Sequence, residues 1–248
     1  VTMHYPFPIG VSTIGRVVTP GRGREMFLAA TTGTSATERV EAMVRNAIYG
    51  IVAAKACGIS KPTIGIANID GARQTEKILK KLAEQGYEIS FAESARADGG
   101  VVMRGNDLLE GTADVMVMDA LTGNLMMKIF SAYTTGGQFE SLGFGYGPGV
   151  GENYHKTILI VSRASGAPVI AGAIQYATEL LSGDFYKISD DEFQKAYQAG
   201  LKEVLSELKT EKNENKDKKV AVPPKETVTH EIHGIEVVDL EDAAASLW

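Results

Sequence analysis

One cysteine and four histidines in 248 residues remove several classes of protein at once. A single thiol cannot build a disulfide framework or a thiolate metal cluster, and it suits a reducing compartment. The histidines, His4, His155, His230 and His233, include one close pair, which in a strand-like stretch would not share a face, so no metal is expected. Basic charge is not in excess either. With 25 Lys and Arg against 31 Asp and Glu, the net charge is −6, which argues against nucleic acid as the main partner, because phosphate backbones need clustered cations. No apolar run approaches the roughly 18 residues of a membrane helix; the best, 46–59, is broken by Lys55. The opening Val1-Thr2-Met3-His4-Tyr5-Pro6 lacks a basic segment followed by an apolar one, so no signal peptide is read. These absences leave a soluble, cytoplasmic, globular protein, and a first residue other than Met reads as a cut chain.

What the sequence does have is alternation. Short apolar runs at 25–31 (EMFLAAT), 63–69 (TIGIANI), 88–93 (EISFAE), 114–118 (DVMVM) and 157–161 (TILIV) have strand length and Gly, Asp or Pro boundaries. Near-continuous apolarity suits strands covered on both faces. Between them, 37–57, 74–85, 125–133 and 169–181 place apolar residues at helical spacing, with Gly58 and Gly86 as stops. Strand then helix, repeated, predicts an α/β fold with a largely parallel sheet flanked by helices. Residues 190–208 read as one amphipathic helix, and 209–219 (KTEKNENKDKK) as the start of a solvated linker reaching 224. The expected organisation is a domain at 1–208, a charged linker at 209–224 and a small segment beginning at 225–248, cut at its end.

Candidate chemistry lies at the turns. The run 143–151 (GFGYGPGVG) is the most unusual composition, and glycine lets backbone N–H groups approach an anion. Its spacing matches no nucleotide-binding fingerprint, so a phosphate cradle and a flexible surface loop or lid stand side by side. Asp119-Ala-Leu-Thr-Gly-Asn124 closes one apolar run and opens a helix, the place where α/β proteins hold anions. There Asn124 and first-turn N–H groups would face phosphate or an oxyanion, with Lys128 a turn further on, unless Thr122 simply caps the helix. Val161-Ser-Arg-Ala-Ser-Gly-Ala167 repeats the arrangement, Arg163 offering a planar fork and Ser162 a donor. Asp70-Gly-Ala-Arg73 and Thr32-Gly-Thr-Ser35 are two more such turns, and the four together suggest a cleft for anionic ligands. Cys57 reads as structural, and Glu93, Arg96, Asp98, Arg104 and Asp107 as solvated loop charges.

The segment GISKPTIGIANIDGARQTEKILKKLAEQGYEISFAES, followed by RGNDLLEGTADVMVMDALTGNLMMK, resembles the PlsX-type phosphate acyltransferases. Asp114, Asp119, Thr122, Gly123, Asn124 and Lys128 fall on that family's pattern, whereas Ala120 and Leu121 depart from its Gly-Phe. The match runs from about 14 to 183. Over the whole chain, MHYPFPIGVSTIGRVVTPGRG, FAESARADGG, SAYTTGGQFESLGFGYGPGVGE and ETVTHEIHGIEVVDLEDAAASLW resemble a PlsX-like branch, the component C α subunits of glycine reductase complexes. This resemblance implies an isocitrate/isopropylmalate dehydrogenase-like fold shared with phosphate acetyltransferases. It also implies an activity without a cofactor, in which inorganic phosphate attacks an enzyme-bound acetyl thioester and releases acetyl phosphate. The implied partners are a β subunit of component C, the other reductase components and a second copy of the chain.

Ser162-Arg163 is similar to a Ser-Arg pair at the phosphate acetyltransferase substrate site, but the aspartate base that follows there has no counterpart in 164–169. Positioning and oxyanion stabilisation would have to suffice for a phosphate nucleophile. The branch also implies an N-terminal segment of about a hundred residues and an acyl-carrying cysteine just beyond Trp248; Cys57 is not given that role. The expected site is then Asn124, Lys128, Ser162 and Arg163 as catalytic groups, with Asp119, Thr122, Gly123, Arg73 and Ser165 holding phosphate or substrate. The alternatives are a stand-alone acyltransferase acting on acyl carrier protein and a scaffold subunit whose chemistry sits elsewhere.

Overall fold

The computed structural model describes residues 1–97 and 99–217. Contacts divide the chain after Lys209. The unit Val1–Lys209 holds one sheet of eight strands: β1 (Val11–Val18), β2 (Glu25–Thr34), β3 (Thr63–Ala67), β4 (Ser90–Phe91), β5 (Val102–Met103), β6 (Val115–Val117), β7 (Gly147–Gly151) and β8 (Leu159–Ile160). The helices are α1 (Arg39–Ala56), α2 (Ala72–Glu84), α3 (Gly105–Glu110), α4 (Ala120–Ala132), α5 (Ala167–Ser182), α6 (Phe185–Gln198) and α7 (Leu201–Asp217). None of them is long and apolar enough to cross a membrane.

The fold is mixed α/β with a central sheet flanked by helices, but the sheet is not largely parallel. The strand order is β4-β3-β6-β2-β1-β7-β8, with β5 beside β3. The pairs β4–β3, β5–β3, β3–β6 and β6–β2 are parallel, whereas β2–β1, β1–β7 and β7–β8 are antiparallel. The reason is connection length. The chain between Val18 and Glu25 is too short for a crossover, so β1 and β2 form a hairpin. Two-face burial explains the continuous apolar runs. Phe27 and Ala29 of β2, with Val115 and Val117 of β6, face the core around α1, while Met26, Leu28 and Met116 face the core around α4.

Two strands lack an apolar signature. β1 (VSTIGRVV) carries Arg16 inside an almost fully buried strand. Its guanidinium lies over the Phe144 ring, 4.3 Å from the centroid, and pairs with Glu25 and Glu179. Burial works against that charge, but the hydrogen bonds it donates to Glu179 and Glu25 and their negative charges more than offset it and raise the Arg16 pKa. The second part of the glycine-rich run is neither cradle nor lid, because Gly147–Gly151 is β7, buried throughout. At Gly147 φ is +88°, and a Cβ would overlap the Ile14 carbonyl oxygen. Glycine is there so that β7 and β1 can pack backbone against backbone.

Three further expectations change. Residues 190–208 are not one helix, since α6 ends at Gln198 and α7 begins at Leu201 after Gly200 at φ +81°. Helix α7 then runs to Asp217, through the first part of the expected linker; the remainder of that linker and the segment 225–248 lie outside the described residues, as does Asp98. Asp107 is not a solvated loop charge. It is 1% exposed and accepts hydrogen bonds from Ser94 Oγ (2.8 Å), Ala95 N (2.9 Å) and Arg104 N (2.8 Å), closing the first turn of α3.

Gly147→Ala should therefore cost about 3 kcal/mol through overpacking, whereas Gly105→Ala, with open space around its Cβ, should stay within about 0.5 kcal/mol of the parent. Urea unfolding of the two variants checks the contrast.

Candidate active site

Helix α4 starts where the parallel strand β6 ends. Asp119 is its N-cap, with Oδ1 accepting from Leu121 N and Thr122 N, both at 3.0 Å, and Oδ2 accepting from Thr122 Oγ1 at 2.7 Å. The cap is thus Asp119 rather than Thr122. Burial opposes its ionisation, but the Thr122 hydrogen bonds, the Arg39 charge and the Leu121 N–H outweigh it and hold the carboxyl below the usual range. Arg39, at the start of α1, stands 3.5 Å away. The N–H groups of Leu121 and Thr122 therefore already have an acceptor, and an incoming phosphate would meet the Asp119 carboxylate first.

Gly123 faces β2 so closely that a Cβ would overlap the Ala30 carbonyl oxygen. Asn124 then donates from Nδ2 to Thr31 O at 3.1 Å, fastening α4 to the same strand. Lys128 follows one turn later. Its Nζ donates to Tyr146 Oη at 3.1 Å and lies 3.9 Å from Glu140 Oε1. Tyr146 donates to Glu140 Oε1 at 2.7 Å, and Ser165 Oγ donates to Glu140 Oε2 at 2.6 Å. Ser162 joins through its N–H, which donates to Ser165 Oγ at 2.9 Å, while its own Oγ accepts from Ala164 N at 3.0 Å. Burial first, then the hydrogen bond and charge of Glu140, push the Tyr146 phenol far above its ordinary range. Arg163 is exposed beside this group, with no hydrogen bond or ion pair among the described residues.

Lys128, Glu140 and Ala164 line an open pocket of about 370 Å³ whose other walls include Ile129, Ala132, Tyr133 and Phe139. The structure thus brings Lys128, Ser162 and Ser165 together, with Arg163 on the same turn, and adds Glu140 and Tyr146, which the sequence reading did not single out. Tyr146 lay inside a glycine run read for its backbone, and Glu140 in a run quoted for its resemblance but given no role. Asn124 is bonded to the sheet. Asp119, Thr122 and Gly123 lie at the start of α4, nine residues before Lys128 in the case of Asp119, about 13 Å along the axis at a helical rise. Arg73 pairs with Glu76 on α2 at 3.1 Å, and no hydrogen bond among the described residues joins it to the Lys128 group. The four turns thus do not form one cleft. Cys57 is partly buried, and burial pushes its thiol up to about 12, so it stays a protonated thiol near neutral pH.

The family model described as fatty acid synthesis protein matches residues 1–248. The chain belongs to this fatty acid synthesis protein family. Its relatives include the glycine/sarcosine/betaine reductase complex component C subunit alpha of Peptoclostridium acidaminophilum, 62% identical over 249 residues, covering 100% of this chain and 65% of that one. The phosphate acyltransferase of Lysinibacillus sphaericus is 37% identical over 117 residues, 47% of this chain and 34% of the relative. That of Geobacillus sp. is 34% identical over 110 residues, 44% and 32% respectively. The chain spans less than two thirds of the length of each of these relatives.

In this member of the family, the Asp119 cap sets an acid-dependent share of stability. A carboxyl with a lowered folded-state pKa stabilises above its unfolded value, and the contribution fades as pH falls through the folded one. Asp119→Ala should cost about 1 kcal/mol at neutral pH, and the gap should shrink below about pH 4. Urea unfolding of both proteins across that pH range measures it.

Proposed function

We propose that this chain is the phosphate-handling part of an acetyl-phosphate-forming phosphate acyltransferase, working as an α subunit of component C in a glycine, sarcosine or betaine reductase complex. Its fold kinship is then with the isocitrate/isopropylmalate dehydrogenase-like proteins. Inorganic phosphate attacks the carbonyl of an acetyl thioester; the C–S bond breaks, the thiol leaves with a proton and acetyl phosphate forms. The observation that carries this reading is the meeting of Lys128 with the Ser162–Ser165 turn at one pocket. Lys128 and Arg163 supply positive charge for a dianion, and the Ser162 hydroxyl is a donor beside them. Asn124 holds the helix carrying Lys128 to β2, which makes it a positioning residue. The 62% identity to a component C α subunit supports the assignment to such a complex, with a β subunit and the other reductase components as partners.

Arsenate-dependent breakdown of acetyl phosphate by the chain tests the reading. Turnover is expected, and Arg163→Ala should weaken phosphate binding by about 1.5–3 kcal/mol, the range for charged hydrogen bonds. An unchanged affinity would remove Arg163 from the site, and no turnover in the parent would overturn the reading.

One observation favours a second reading. A pocket of about 370 Å³ walled by Ile129, Ala132, Tyr133 and Phe139 is far larger than an acetyl group, as an acyltransferase acting on long acyl chains of acyl carrier protein would require. Faster arsenolysis of octanoyl phosphate than of acetyl phosphate would select it.

The same helix supports self-association. Leu121 is 82% exposed, and Leu125, Ile129 and Tyr133 continue its apolar row. With a second copy as the occupant, the double variant Leu121→Glu/Leu125→Glu should move the light-scattering mass from dimer to monomer; a monomeric parent would contradict this.

A further inference from the structure

The phosphate reading leaves Glu140 without a task, although it is the most heavily bonded residue of the cluster. It is 1% exposed. Its backbone N–H donates to Ala164 O at 2.9 Å, and its carbonyl accepts from Gly166 N at 2.8 Å, so it brackets the Ser162–Ser165 turn from outside. Its side chain accepts from Ser165 of that turn through Oε2 and from Tyr146, at the entry of β7, through Oε1, with Lys128 of α4 at 3.9 Å. One residue therefore touches every segment that builds the pocket's charged wall.

The proton inventory says what this does. A carboxylate only accepts, so Tyr146 and Ser165 must each give their single hydroxyl proton to Glu140. Both oxygens are then left with lone pairs alone. Tyr146 uses one to accept from Lys128 Nζ, and Ser165 uses one to accept from Ser162 N–H. Ser165, expected as a phosphate donor, has no proton left for phosphate. Lys128 has a fixed acceptor for one of its three N–H bonds, and the other two remain for an anion in the pocket. Without the carboxylate, Tyr146 and Ser165 would be free to rotate their protons outward and compete with Lys128.

We infer that Glu140 is a positioning residue of the phosphate-handling site: through Tyr146 and Ser165 it fixes where the Lys128 ammonium and the Ser162–Ser165 turn stand. The inference rests on the phosphate reading above. It supplies from a distant loop a carboxylate that the stretch after Ser162-Arg163 does not contain, and gives it an orienting task.

The test uses the full chain in acetyl phosphate arsenolysis. Glu140→Gln keeps the shape but removes the charge and one of the two acceptor oxygens; kcat should fall roughly 10- to 100-fold, the equivalent of a charged hydrogen bond. Two readouts separate positioning from mere loss of structure. In a double-mutant cycle, Glu140→Gln combined with Ser165→Ala should lose little more than the worse single variant, because both break one network. Glu140→Asp, which keeps the charge and both acceptor oxygens, should also recover part of the kcat lost in Glu140→Gln, whereas Glu140→Ala should not. If Glu140→Gln does not fold, Tyr146→Phe and Ser165→Ala each remove one arm, and each should lower kcat about tenfold. A parent with no turnover sinks the phosphate reading and this role with it. An active parent whose Glu140→Gln variant keeps kcat, or loses it with additive effects and no recovery in Glu140→Asp, sinks the role of Glu140 alone.

Discussion

Helix α4 can lie on β2 only because residue 123 has no side chain. A Cβ there would overlap the Ala30 carbonyl oxygen, and even an alanine would lift the helix off the strand. With Gly123 seated, the Asn124 amide reaches Thr31 O in the same strand and fixes the rotation of the helix about its axis. Rotation decides which face carries which residue. Met127 and Phe130 go into the core, Lys128 goes to the flank beside Tyr146, and Leu121 and Leu125 are left outside. The site and the exposed apolar row are two consequences of one close contact.

Buried charge does the corresponding work for segments far apart in sequence. Arg16 joins β1 to Glu25 and to Glu179 of α5, and stacks on Phe144 just before β7. Glu140 joins the loop after α4 to Tyr146 and to Ser165 before α5. Such groups add little net stability over apolar replacements, because desolvation offsets the attraction. Their effect is directional, since each accepts only arrangements in which all partners are reached. Both act on the chain from Phe144 into β7, where glycines leave few side chains to pack.

The parts of the fold that were legible are those whose signal is local. β2, β3 and β6 showed as apolar runs because they are covered on both faces, α2 and α5 as helical periodicity because each buries one stripe, and α1 as a long apolar helix because it is buried nearly all round. β1 and β7 were illegible for opposite reasons. The charge in β1 is compensated by Glu25 and Glu179, and β7 is built from glycine because its neighbour's backbone fills the space a side chain would take. Asp107 was read as a surface charge, and Glu140 was not singled out, because their hydrogen-bond partners are invisible to a linear reading. Lys128, Ser162 and Ser165 were found from turn chemistry and family resemblance, but their grouping depends on Glu140, for which no spacing rule exists.

The mixed sheet explains why the four polar turns do not share a cleft. The turns after β2, β3 and β6 leave the parallel half at the same edge; Arg39 at the start of α1 reaches Asp119, and Gly71 lies against Val40. The turn after β8 belongs to the antiparallel half, so it leaves the sheet elsewhere and meets α4 more than two helical turns past its cap. At the α4 cap the first-turn donors already have Asp119 as acceptor, and an anion placed there would face a carboxylate. At the flank of α4, Lys128 and Arg163 offer charge while the neutral hydroxyls of Tyr146 and Ser165 turn their protons inward. At that flank the charge stands beside an apolar wall that includes Ile129, Ala132, Tyr133 and Phe139. The hairpin that makes β1 antiparallel to β2 therefore decides which turn can meet the flank of α4.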